Sequence, residues 1–142
     1  MNNSKEDSAV LMSIHPQYVK AIQSGDKKIE FRKRSFSKDI SNILVYETAP
    51  IKAVVGYFII KEINIDTPQK IWNKYSNVGE ITKEDYFSYY NDVDIAVGIC
   101  ISKYISFSKP VDIKKYKLQP PQSYVYLSND LFKKMVNVGS SK

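Results

Sequence analysis

Gly25-Asp26-Lys27-Lys28-Ile29-Glu30-Phe31-Arg32 stands where one hydrophobic period gives way to another. Before it, Tyr18, Ala21 and Ile22 recur at helical spacing; from Lys28 the side chains alternate. Gly25 is a natural helix stop, because glycine reaches the left-handed cap conformation without a Cβ clash. An extended strand from Lys28 puts Ile29 and Phe31 on one face. It puts Lys28, Glu30 and Arg32 on the other, as a plus-minus-plus row, with Lys27 in the turn that feeds it. A row of this kind is a site if it lines a cleft, and an ordinary solvated face if it meets open water.

Upstream, Val10 to Ile14 reads as a short buried strand, and His15-Pro16 opens the helix, since proline is well tolerated in a first turn. The chain therefore begins strand, helix, charged strand. Downstream, Arg32 to Asp39 is a basic connection. Asn42 to Glu47 is a strand broken by Thr48-Ala49-Pro50. Ile51 to Ile65 is a long β-branched strand whose Gly56 predicts a bulge or bend. Thr67-Pro68 starts a helix to about Tyr75, and Thr82 caps another ending near Tyr90. Ile95 to Phe107 is a second long strand, and Pro110 opens an irregular basic stretch to Lys117. Ser123 to Leu127 is a final short strand, and Ser128 caps a helix to about Val136. The expected class is α+β, a small mixed barrel. The expected organisation is a disordered N-terminal tail over 1–9, one domain over 10–136 and a C-terminal tail over 137–142.

At 142 residues, with 43% hydrophobic and 13% aromatic content, the chain suits one globular domain. Its net charge is +6, and Lys20 to Lys38 holds seven basic residues against Asp26 and Glu30. A local surplus of that kind favours a polyanionic partner such as nucleic acid. A single cysteine, Cys100, excludes an internal disulfide and a thiolate metal site. With one histidine as well, no Cys-His cluster can be assembled, and neither a metal nor a cofactor is expected. No signal peptide and no membrane-length apolar run is present, so the expected location is cytoplasmic.

Gly25-x-Lys27-x-x-Glu30-x-Arg32 matches the G-x-K-x-x-E-x-R signature of the ASCH domain, a member of the PUA-like superfamily. The stretches LMSIHPQYVKAIQSGDKKIEFRKR, VYETAPIKAVVGYF, GEITKEDYFSYYND and PPQSYVYLS resemble family segments as well, so the resemblance covers about Val10 to Leu127. It implies a PUA-like β-barrel with flanking helices and a cleft lined by the signature. It also implies RNA binding or translation-linked regulation, with ribonucleases and an N4-acetylcytidine deacetylase among the branches. The deacetylating branch carries threonine as its nucleophile where this chain has Glu30, and a glutamate cannot replace a hydroxyl there.

Lys27 and Arg32 can neutralise phosphate or hold a base edge, and Glu30 can accept from an exocyclic amine or imino N–H. Lys33 and Arg34 extend the positive strip as phosphate contacts. Tyr46, Thr48 and Pro50 stand at the turn beside the signature, where a ring can stack a base, although Tyr46 also suits the core. Gln122 and Ser123, after Pro120-Pro121, can hydrogen-bond the same ligand. The expected ligand-binding set is Lys27, Glu30, Arg32, Arg34, Tyr46, Thr48, Gln122 and Ser123. The expected partner is RNA or another nucleobase-containing ligand, with no membrane. The first reading is a non-catalytic binding module. The alternative is a hydrolase, either a ribonuclease or a nucleoside amidohydrolase, with Lys27 and Glu30 as its catalytic residues.

Overall fold

The computed structural model describes residues 7–141, so residues 1–6 of the tail expected over 1–9 lie outside the described residues. The chain runs β1 (Asp7–Ile14), α1 (Pro16–Ser24), β2 (Ile29–Arg32), β3 (Asn42–Glu47), β4 (Ala53–Asp66), α2 (Pro68–Tyr75) and α3 (Lys83–Tyr89). It ends with β5 (Ala96–Val111), β6 (Tyr124–Ser128) and α4 (Asn129–Gly139). Short 3₁₀ turns at Ser76–Val78 and Ile113–Tyr116 join these elements. The class is α+β: one six-stranded sheet and four helices.

Local chemistry sets the helix boundaries. Pro16 occupies the first turn of α1, and Gly25 ends it at φ 87°. Thr67, Thr82 and Ser128 each accept a backbone N–H at the start of α2, α3 and α4. Long-range packing sets the lengths that sequence reasoning misplaced. β1 begins at Asp7, inside the expected N-terminal tail, and α4 runs into the expected C-terminal tail as far as Gly139. Gly139 lies against the Phe107 ring with no room for a Cβ, and its carbonyl accepts from Ser108 Oγ at 3.0 Å. Residues 108–111 are not irregular. β5 continues through Pro110 to Val111, and only then does the Ile113–Tyr116 turn follow. Proline is tolerated there because the β4–β5 register shifts between Gly56↔Ser106 and Val54↔Val111.

The strand order is β2-β5-β4-β3-β1-β6, with β1 and β3 parallel and the other pairs antiparallel. The expected barrel is not closed by hydrogen bonding, because β2 and β6 end the ladder without pairing to each other. Gly56 does mark a register break on both of its neighbours. A Cβ there would collide with the Tyr104 hydroxyl and the Ile105 carbonyl.

Alternation along the strands feeds two faces. Val10, Met12, Ile14, Ile43, Val45 and Phe58 pack with Val19 and Ile22 of α1. Leu11, Leu44, Tyr46, Val54, Val111 and Leu127 pack with Met135 of α4. The outer ends of β4 and β5 carry the α2–α3 insertion. Its Ile71, Tyr86 and Tyr90 close a third core over Ile29 and Phe31 of β2. No helix among the described residues is long and apolar enough to cross a membrane.

Candidate functional site

β2 is covered on both faces. Ile29 and Phe31 are buried as their alternation requires, yet Glu30 on the opposite face is only 6% exposed. Lys28 does not join the charged row. It is exposed ahead of β2, where its N–H donates to the Val78 carbonyl. Lys27 is the residue driven inward, at 3% exposure, because the chain leaving the Gly25 cap turns back under the insertion. Its Nζ donates to the Gly79 carbonyl at 2.6 Å and sits 5.1 and 5.0 Å from the ring centroids of Tyr18 and Phe31. Burial holds the Lys27 ammonium below the ordinary lysine range. The Glu30 carboxylate opposes that effect, Arg32 reinforces it and Glu80 opposes it.

Arg32 completes the signature by using its whole fork. Nε donates to Glu30 Oε2 at 3.0 Å, and Nη2 lies 2.8 Å from the same oxygen. Nη2 also donates to the Ser13 carbonyl at 2.9 Å, and Nη1 to Ser123 Oγ at 3.3 Å. Ser13 lies on β1 and Ser123 just before β6, so the guanidinium spans the gap between the two unpaired ends of the sheet. Ser13 also carries the β1–β6 pairing one step past Met12↔Tyr124, its N–H donating to the Ser123 carbonyl at 3.0 Å and its Oγ to the Pro121 carbonyl at 2.6 Å.

This clasp floors a cleft of about 1460 Å³. All eight residues singled out from the sequence line it: Lys27, Glu30, Arg32, Arg34, Tyr46, Thr48, Gln122 and Ser123. They do not contribute equally. Gln122, Ser123 and Arg34 are exposed, whereas Tyr46 is 4% exposed and doubles as a core residue beside Leu44. Burial raises the Tyr46 phenol, with the Asp112 carboxylate adding to the effect, so the phenol keeps its proton. Thr48 Oγ1 lies 3.4 Å from His15 Nδ1. Six cations line the cleft (Lys27, Arg32, Lys33, Arg34, Lys52 and Lys114) against three carboxylates (Glu30, Asp85 and Asp112). The field over the opening therefore favours an anion.

Sequence reasoning missed three contributors. Tyr18 supplies a ring under Lys27. Lys52 reaches the cleft from the β3–β4 turn with φ 54°, a backbone conformation uncommon for a side-chain-bearing residue. Tyr89 comes from the end of α3. Only Lys52 carried a sequence signal, being a cation two residues past the Pro50 turn. Among the described residues no group of three His, Cys, Asp or Glu side chains is arranged to hold a metal.

The ASCH domain family matches residues 12–110. This chain belongs to the ASCH domain family. The ASCH domain-containing ribonuclease of Zymomonas mobilis is 26% identical, over 99% of this chain and 98% of its own. The crystal structure of ASCH from Zymomonas mobilis superposes with a TM-score of 0.85 at 26% identity, covering 98% of this chain and 99% of that one. A large ribosomal subunit protein uL22 of Ureaplasma parvum is 29% identical over 83% of this chain, which spans 39% of that protein's length. The chain is thus similar to one protein end to end, and to a segment of another.

Proposed function

We propose that this ASCH protein binds unpaired RNA in the cleft and cuts its backbone there. The observation that carries the reading is the cleft itself, a basic, hydroxyl-bearing hollow wide enough for more than one nucleotide. Support comes from the end-to-end similarity to a protein named a ribonuclease. Cutting by transesterification forms a bond from the 2′-oxygen to phosphorus and breaks the bond from phosphorus to the 5′-oxygen. One group must take the 2′ proton, another must give a proton to the leaving oxygen, and cations must hold the charge gathering on the phosphoryl oxygens. Glu30 is the acceptor, the protonated Tyr46 phenol is the donor, and Arg32 and Lys52 hold the charge. Lys27 is sealed between Gly79 and two rings, so it acts as a positioning residue behind Glu30.

A specific observation favours a second reading, binding without cleavage: every Arg32 nitrogen is already engaged within the protein. A labelled unpaired 20-mer RNA and the DNA of the same sequence distinguish the two. Cleavage predicts that RNA is cut, that DNA is bound but not cut for want of the 2′-hydroxyl, and that Tyr46→Phe and Lys52→Ala each slow cutting by about 10²-fold or more. Intact RNA with salt-sensitive binding selects the second reading. Binding indifferent to salt overturns both.

A further inference from the structure

We infer that Tyr89 and Lys33 form a nucleotide subsite at the α3 rim of the cleft, the ring stacking a base and the ammonium taking its phosphate. The inference rests on the proposed RNA reading and adds to it where on the wall a base is held. Besides the exposed His15 imidazole, five tyrosine or phenylalanine rings line the cleft, from Tyr18, Phe31, Tyr46, Tyr89 and Tyr124. Stacking needs an open face, and four of the five are buried or half-buried. Phe31 and Tyr46 are buried, Tyr18 is half-buried against the Lys27 ammonium, and Tyr124 is half-buried between the edges of Phe36 and Tyr126. Tyr89 is 38% exposed.

Tyr89 is also held firmly from behind. Its ring packs against Tyr90 at 4.8 Å and 66°, and the buried Tyr90 is locked by its hydroxyl to the Arg32 carbonyl at 2.8 Å. The platform is therefore tied to the strand that carries the signature. Burial raises the Tyr89 phenol, Arg32 opposing the shift and Glu30 adding to it.

Lys33 already rehearses the arrangement. Its Nζ lies 4.9 Å from the Tyr89 ring centroid and 3.2 Å from Asp92 Oδ1. That ion pair is wet, its side chains 36% and 67% exposed, so little holds the ammonium there. A nucleotide supplies what Asp92 supplies, an anion for Lys33, together with a flat partner for the ring. Base–aromatic stacking and phosphate neutralisation are the two terms by which single strands are gripped.

The test uses the whole chain and fluorescein-labelled unpaired 2′-O-methyl hexanucleotides, which cannot be cut at the 2′-oxygen, one intact and six each with a single abasic sugar. Tyr89→Ala is expected to weaken binding of the intact strand about tenfold, while Tyr89→Phe keeps it. One abasic position should weaken wild-type binding by a similar factor, and on that strand Tyr89→Ala should cost nothing more. Lys33→Ala should lower the salt slope by about 0.7, and Asp92→Asn should tighten binding about twofold, by removing the competing carboxylate. The subsite is overturned if Tyr89→Ala binds like wild type, if its loss is the same on every abasic strand, or if Asp92→Asn weakens binding. The abasic series on wild type stands independently of any variant's folding: equal affinity for all seven strands also overturns it. If no strand binds at all, it is the RNA reading that fails.

Discussion

Glu30→Ala tests whether the signature builds the cleft or merely decorates it. Glu30 is nearly buried, and its carboxylate receives two nitrogens of Arg32, whose side chain is 14% exposed. Removing one partner of a buried pair costs about 3–5 kcal/mol when the other charge is left bare. Here Arg32 keeps the Ser13 carbonyl and Ser123 Oγ as acceptors, which lowers the figure. Lys27 then loses the carboxylate that opposes its desolvation, which raises it again. The expected loss is about 2–4 kcal/mol, or roughly 10 °C in Tm for a chain of this size. Urea unfolding at pH 7 measures it. Glu30→Gln, which retains an acceptor oxygen, should lose about half as much. Glu30→Ala with Arg32→Ala should lose clearly less than the sum of the two. A cost below about 0.5 kcal/mol, or simple additivity, would refute the clasp and return the row to the status of solvated charges.

Lys27 gives a pH signature. The folded protein holds this proton less tightly than the unfolded chain, whose lysine titrates at 10.5. The resulting penalty is full below the folded pKa and shrinks as pH rises toward 10.5, so wild type should gain on Lys27→Met across that window in denaturant titrations. Tyr86 acts in the opposite sense. Burial pushes its phenol to about 12, so its contribution is whole below pH 10 and is lost as pH climbs from 10 to about 12. Tyr86→Phe should flatten the alkaline melting curve, at a cost of about 1 kcal/mol at pH 7 for the lost bond to the Pro68 carbonyl. Gly56→Ala should destabilise by about 3 kcal/mol or more in urea, because its Cβ meets the Ile105 backbone, which cannot swing aside. A loss under 1 kcal/mol there would mean that β4 and β5 can part locally.

What could be foreseen followed the reach of the forces involved. Pro16, Gly25, Thr67, Thr82 and Ser128 act within a turn of themselves, and each helix starts or stops where they direct. Pro110 misled because its tolerance depends on a register shift against a strand fifty residues earlier. The end of α4 misled because Gly139 answers to Phe107, a neighbour in space alone. The barrel expectation stopped at the seam between β2 and β6, where side chains such as Arg32 and Tyr126 stand in place of a ladder. In the site, the signature announced Lys27, Glu30 and Arg32 but not what each would touch. A lysine in a turn reads as solvated until a carbonyl at Gly79 and two rings converge on it. Tyr89 arrived with an insertion that periodicity identifies as a helix without saying which wall it will form.

The Arg32 bridge has a mechanical consequence. Backbone ladders yield cooperatively, many bonds at once, whereas this seam is held by side chains: the Arg32 fork, and Phe36 and Ser37 of the β2–β3 connection against Tyr124 and Tyr126 of β6. What shapes the mouth of the cleft is thus set apart from what holds the sheet: a substitution among these side chains can alter the one and leave the strand pairing of the other intact.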